Sequence, residues 1–398
     1  MTRPASPAAC PEKQLLVCCA RTRMSPAVEA NIRALAAAPL DWHLLFAAAA
    51  DNSVTPLLTL QLSAVAQDAL PAAVFARLKD AARAHAVRSL VLAAELIHVM
   101  GLFRSAGIHA IPYKGPVLAA QAYGDLALRA FDDLDLVLPQ RQVPKANDLL
   151  ASLGYRPRFP WVLSTEAQAS LVPGEYHYRD DARGLVVELH TEVTLRHFPV
   201  RPDLDRLASR LVPVFLSGHE VGTFAPEDSL LFLCVHGAKD FWERISWVAD
   251  IAEFVQAQPL DWDVVFQRAE ALRLRRMLHL GLALSAALLD APLPEEIAAR
   301  VRRDNVATSL ASQLSDRLLA RDPAPLGAAA ILRYRRRMVE GTFAGWRYFL
   351  RLATVPAEED WPQTRLPRAL APLYVVLRPL RLLRKYGLAG ARLPRPSP

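Results

Sequence analysis

The sequence predicts an α+β fold, with a strand-rich centre between two helical regions. Three observations carry this expectation. Apolar residues recur at three- and four-residue spacing through residues 1–105 and again from residue 226. Between these regions, short runs alternate apolar and polar side chains with the two-residue period of a strand. The composition, 52% hydrophobic and 22% charged, is rich in Ala and Leu, which favours helices and excludes a disordered chain. A length of 398 residues exceeds one ordinary core and suggests about two or three domains.

Taken in order, residues 26–37, 41–50, 71–86 and 87–106 read as helices. Asp41 is placed to cap the second of them, and Pro39 and Pro56 mark breaks. The period changes at Gly107. Residues 108–113 are a short buried strand ending in Lys114-Gly115, and Pro116 fits the first position of a helix over 117–123. Residues 131–138 alternate acidic and aliphatic side chains and are closed by Pro139, the pattern of a strand. A helix follows over 143–154. Residues 176–179 are a weak strand candidate and 185–193 a strong one, turned at Gly184. Val212–Leu216 and 220–224 form a ribbon through Gly218, with Pro213 placing the first of these strands at an edge. Glu227 and Asp228 then open a helical stretch in which acidic residues suit the helix dipole. It continues over 229–237, 242–256, 261–287, 293–303 and 326–352. The expected organisation is therefore a helical region over 1–105, an α+β domain over 106–225, a helical domain over 226–355 and a basic, Pro-rich tail over 356–398.

The net charge of +7 suits a phosphate-bearing ligand, an anionic membrane surface or nucleic acid. Four cysteines, at 10, 18, 19 and 234, lack zinc-site spacing, and so few in a long chain indicate a reducing compartment. No secretory leader is legible, nor a run of the ~18 uncharged apolar residues that a bilayer span requires. The expected location is cytoplasmic. In the tail, residues 371–386 space Arg378, Arg381 and Arg384 three apart among Leu, Val and Tyr, which makes them either a C-terminal helix docked on the body or a membrane-peripheral helix.

The chemistry is concentrated between Lys114 and Leu138. Residues two apart on a strand share a face, so Asp133 and Asp135 project together. Two carboxylates so placed repel unless a cation lies between them, and Mg²⁺ is the leading candidate because it takes hard oxygen ligands and is often shared with substrate phosphates. Glu188 is the third acid, in an apolar strand where an unpaired carboxylate is costly. His190 shares its face and can order the site or contact a phosphate. Lys114 and Arg129 supply positive charge, and Gly115 permits close backbone approach to a phosphate. His236, Lys239 and Arg244 are further candidates for closing over a ligand.

These residues resemble the nucleotidyltransferase superfamily, whose motif is a Gly-containing turn and helix followed by a strand with two acids. More closely, the chain is similar to the bacterial family of uncharacterised nucleotidyltransferases. The resemblance rests on Tyr113-Lys114-Gly115, Tyr123-Gly124-Asp125, Arg129, Asp133-Leu134-Asp135-Leu136-Val137, Val187-Glu188-Leu189-His190, His236-Gly237, Trp242 and Asp250, and runs from about residue 14 to 386.

The resemblance implies a small mixed β-sheet core flanked by helices that binds an NTP, ATP among the candidates, with Mg²⁺ or Mn²⁺. Asp133, Asp135 and Glu188 would be the catalytic metal ligands, and Lys114, Gly115, Arg129 and His190 would bind nucleotide. The acceptor would be a small molecule, a peptide or a protein. Nucleic acid is not expected, because no strand platform of aromatic and basic residues is present. Where the superfamily has Gly-Ser or Gly-Gly, this chain has Gly115-Pro116, and Pro116 offers a phosphate neither amide nor hydroxyl. That departure keeps open an alternative: a catalytically degenerate protein that binds nucleotide or a partner.

Overall fold

The protein is described from a computed structural model, which covers residues 10–158, 174–193, 202–354, 373 and 376–381. It opens with helices α1 (Pro11–Cys19), α2 (Pro26–Ala36), α3 (Trp42–Asp51), α4 (Thr55–Val65) and α5 (Ala72–Ser105). Local chemistry sets their starts. The Ser25 hydroxyl accepts from the Val28 amide and the Asp41 carboxylate from the Leu44 amide, each satisfying an otherwise orphaned donor. Pro56, read from the sequence as a break, stands in the first turn of α4, where a proline loses no helical hydrogen bond.

The two periodic segments 71–86 and 87–106 are one helix of 34 residues, since neither Gly nor Pro interrupts their junction. Helix α5 is long and apolar enough by composition to cross a membrane, whereas the sequence reading found no such run. Leu92, Leu96, Val99 and Phe103 of that helix are buried in the protein, whereas Val87, Leu90 and Val91 are exposed; composition alone does not separate a core helix from a span.

Strand β1 (Ile111–Pro112) leads through Lys114 into the single turn α6 (Gly115–Leu118) and a π-helical turn over Ala119–Tyr123. Strand β2 (Leu134–Val137), helix α7 (Val143–Ser152) and strands β3 (Arg156–Pro157), β4 (Glu175–Asp180) and β5 (Leu185–His190) follow. They make a five-stranded sheet in the order β1-β2-β5-β4-β3. The β4–β5 pair is antiparallel, with Glu175 opposite His190 and His177 opposite Glu188. After α8 (Leu204–Ala208), β6 (Val212–Leu216) and β7 (His219–Thr223) form the expected ribbon as a separate two-stranded sheet. Ser217 and Gly218, both at positive φ, make its turn.

The remaining helices are α9 (Pro226–Lys239), α10 (Ile245–Ala257), α11 (Trp262–Ala271), α12 (Arg275–Leu289), α13 (Glu295–Arg302), α14 (Asn305–Leu319), α15 (Ala328–Met338) and α16 (Thr342–Thr354). Two helices expected as single runs are broken: 261–287 at Arg273 and 326–352 at Gly341, both in the left-handed region. Helix α14 was not anticipated. Asp304 caps it by accepting from the amides of Val306 and Ala307. Most of the tail, 356–398, including Arg384, lies outside the described residues.

By compactness the chain divides into Met1–Leu136 with Asp205–Pro323, and Val137–Leu204 with Ala324–Pro398. Strand β2 runs through that division and belongs to both. In the first unit, fully buried Trp242 is a packing centre. Gly237 and Gly281 make room for its indole, since a Cβ on Gly237 would come within 2.6 Å of the ring. In the second, Tyr176, Tyr178, Leu185, Val187 and Leu189 form the buried face of the β4–β5 pair.

Candidate metal and nucleotide site

Strand β2 carries the first part of the site. Leu134 and Leu136 are buried, and Asp135, between them in sequence, is buried as well. Asp133 lies at a bend immediately before the strand and is half-buried, so strand pleating does not fix its direction as it fixes that of Asp135. Asp132 is exposed, as a turn residue should be.

Buried Asp135 has a counter-charge. The Lys114 ammonium donates to its Oδ1 at 3.0 Å, and both side chains are almost wholly enclosed. Burial works to lower the Lys114 pKa. The carboxylate of Asp135, with Tyr113 and Asp133, outweighs it and holds the amine protonated well above its ordinary range. Gly115 follows at positive φ, and a Cβ there would stand 3.2 Å from the Asp133 carbonyl. The close approach that the sequence assigned to a phosphate is made to the backbone of the acidic segment itself. That is why glycine is required here.

Arg129 is fixed on a carboxylate far along the chain. Its Nε and Nη2 donate to Oδ1 and Oδ2 of Asp250 at 2.8 and 3.0 Å, and the Tyr123 hydroxyl donates to the same Oδ1 at 2.8 Å. This planar pairing is the strong geometry for a guanidinium and a carboxylate. Burial and the Asp250 charge raise the Tyr123 phenol well above its usual pKa. The network spans the segment from the π-helical turn to β2, so it holds the loop that delivers Asp133 and Asp135.

His236 on α9 belongs to the same neighbourhood. Burial, and then the charges of Lys114 and Lys239, push its pKa well below the ordinary imidazole value, against a smaller opposite pull from Asp135. Its ring meets Trp247 edge to face at 5.1 Å. Arg244 points elsewhere: it donates to Ser53 at 3.3 Å and lies over the Trp247 ring.

Strands β4 and β5 carry the second part. Their register sets Glu175, His177, Glu188 and His190 on one face, opposite the buried face of Tyr and aliphatic side chains. His177 Nδ1 is 2.7 Å from Glu188 Oε1, and His190 Nε2 is 3.6 Å from Glu188 Oε2. His190 Nδ1 also stands 3.9 Å from Glu175 Oε1. His177 was not picked out from the sequence. Its strand was a weak candidate, and the signal that would have found it is its two-residue phase with Glu175.

Asp135 on β2, and Glu188 and His190 on the adjacent β5, each offer one ligand atom, and these atoms lie within 4.8 Å of one another. Two carboxylate oxygens and an imidazole suit a divalent ion of the Mg²⁺ to Mn²⁺ range, with the nitrogen favouring the softer end. The group thus unites two of the three expected ligands, Asp135 and Glu188, with His190, which the sequence had placed on the nucleotide. Asp133 is not a member of it.

The family described as uncharacterised nucleotidyltransferase has a model that matches residues 38–290. The chain belongs to that family. The match runs from the end of α2 to the end of α12 and so includes every residue of the site. No curated protein matches the chain.

Proposed function

We propose that the protein transfers a nucleoside monophosphate from an NTP, ATP among the candidates, to a small-molecule, peptide or protein acceptor. The observation that carries this reading is the grouping of Asp135, Glu188 and His190 in a chain of the nucleotidyltransferase family. Asp135 and Glu188, with Asp133 at the strand mouth, would hold Mg²⁺ or Mn²⁺, and His190 would complete or orient the set. Such an ion neutralises charge on the triphosphate and on the reacting oxygens.

The chain's own residues supply the rest. Lys114 brings an ammonium, whose protonation the Asp135 carboxylate reinforces, and is the cation on hand for a phosphate oxygen. Glu188 draws the proton from the acceptor oxygen, with His177 orienting its carboxylate at 2.7 Å. The acceptor oxygen forms the new bond to the α-phosphorus, the bond from that phosphorus to the bridging oxygen breaks, and pyrophosphate leaves. Arg129 acts through Asp250 to position the acidic loop. Catalysis of this kind is chiefly alignment and charge neutralisation. A cytoplasmic setting, where NTP is available, completes the proposal, and all four cysteines are free thiols.

A second reading has specific support. Gly115 and Lys114 are already engaged with the acidic segment, and Pro116 has no amide to offer a phosphate. A protein that binds nucleotide without turnover would look the same. Calorimetry with each NTP and Mn²⁺ on the wild type and on Asp133→Ala/Asp135→Ala, followed by pyrophosphate release with candidate acceptors, separates the readings. Metal-dependent binding lost in the variant, with pyrophosphate released, supports transfer. Binding without release under every acceptor supports the degenerate protein, and no binding at all removes both.

A further inference from the structure

The charge of the chain is unevenly placed. Residues 324–398 hold 14 of its 47 Lys and Arg but only four of its 40 Asp and Glu, a net charge of +10, so the remaining 323 residues are net negative by three. The basic excess noted for the whole chain belongs to this end alone.

The same end carries a concentration of exposed apolar side chains. Of eleven large hydrophobic residues exposed among the described residues, six lie between Leu332 and Leu380. Helices α15 and α16 form a hairpin turned at Gly341. Tyr334, Met338 and Tyr348 are buried, and Arg335 Nη1 donates to the Tyr348 hydroxyl at 3.0 Å. The outside of α16 shows Trp346, 75% exposed, and Leu350, 65% exposed, four residues apart and therefore on one helix face. Arg347 is exposed on α16, and Arg336 of α15 is exposed with its guanidinium lying against Gly345.

The short helical segment 376–381 repeats the arrangement. Val376 and Leu380 are 60% and 59% exposed and again four apart. Arg378, between them in sequence, is turned the other way: it is buried, and its Nε donates to the Leu352 carbonyl at 3.0 Å. The segment is thereby bonded to α16. This modifies the expectation from the arginine spacing, because Arg378 serves as an internal anchor, not part of a basic outer face.

We propose that the exposed apolar residues of α16 and segment 376–381, at the strongly basic end of the chain, dock the protein on an anionic lipid bilayer. Tryptophan and leucine insert at the boundary between headgroups and acyl chains, and arginine is drawn to anionic headgroups; the two together are what an interfacial anchor needs. The apolar residues decide between polyanions. Nucleic acid would use the arginines, and stacking could use Trp346, but it gives no place to Leu350, Val376 and Leu380. The proposal does not depend on nucleotidyl transfer.

The test is co-sedimentation of the full-length protein with vesicles of pure phosphatidylcholine and with vesicles containing phosphatidylglycerol. The expected result is binding to the anionic vesicles alone, weakened about tenfold or more in Trp346→Ala/Leu350→Ala. Both side chains are exposed, so the variant should keep the wild-type circular dichroism and melting temperature, and those spectra accompany the binding data. Equal binding of variant and wild type, equal binding to both vesicles, or binding to homopolymeric RNA with none to vesicles overturns the proposal.

Discussion

Lys114 Nζ stands 3.0 Å from Asp135 Oδ1, an ammonium enclosed with a carboxylate on a strand that offers a metal ligand. The lysine therefore supplies the counter-charge that a divalent ion would also supply. Lys114→Met strips a buried carboxylate of its partner, which costs about 3–5 kcal/mol in comparable pairs. The melting temperature should fall steeply in the variant without metal. Added Mn²⁺ should restore much of the loss and raise the variant by more degrees than the wild type, because an ion bound only to the folded state stabilises it by mass action. Differential scanning fluorimetry with and without Mn²⁺ reads this directly. Equal shifts in both proteins would show that Asp135 does not choose between ammonium and metal.

Asp250 is the hub of a buried network in which two donors, Arg129 and Tyr123, depend on one carboxylate. Asp250→Ala leaves a buried guanidinium unpaired and should cost about 3–5 kcal/mol, whereas Tyr123→Phe removes one neutral donor and should cost about 1 kcal/mol. Because both act on the same oxygen, the double variant should be less unstable than the two losses added together. Urea unfolding of the three variants measures the coupling. Additive losses would mean that the Tyr123 hydroxyl does not act through Asp250.

Gly237 was legible only as part of a motif, and the structure supplies its reason. A Cβ there would lie 2.6 Å from the Trp242 ring, which is fully buried and held at positive φ. An indole so enclosed cannot step aside. Gly237→Ala should therefore destabilise by about 1–3 kcal/mol or more despite the better helix propensity of alanine. Gly101→Ala on α5 is the contrast, since nothing lies within 4 Å of its Cβ, and that change should be neutral or stabilising. If both substitutions raise the denaturation midpoint, the steric account of Gly237 fails.

The parts of the fold that were legible are those written in local periodicity. Alternation exposed β5 and the β6–β7 ribbon, and the change of period at Gly107 marked the passage from helices to sheet. Helix α14 was missed although Asp304 caps it as Asp41 caps α3. At the site, alternation located Asp135 and Glu188. The start of β2 at Leu134 is what separates Asp133 from its neighbour, and one residue at a strand edge is below the resolution of a two-residue period. The pairing of Arg129 with Asp250, 121 residues apart, and the meeting of His177 with Glu188 depend on tertiary register, which no local pattern encodes.

His85, His236 and His279 all have imidazole pKa values lowered chiefly by burial, which disfavours the charged ring. Each folded-state value thus lies below the unfolded value of about 6.5, so the unfolded chain takes up its proton first. Stability is complete above about pH 6.5 and is lost as pH falls through that value toward the folded-state values. Glu243 and Glu253 have raised values, again chiefly from burial, and work in the opposite sense, from the ordinary glutamate range upward. The histidine effect is read between about pH 7 and 5.5. His279→Gln is the informative variant, because that ring faces Asp304 at the start of α14, away from the candidate metal ligands. Denaturant midpoints across this window should fall for the wild type, and less steeply for the variant. A wild-type midpoint that is flat or rises toward pH 5.5 would mean that these imidazoles are solvated or already protonated in the folded state.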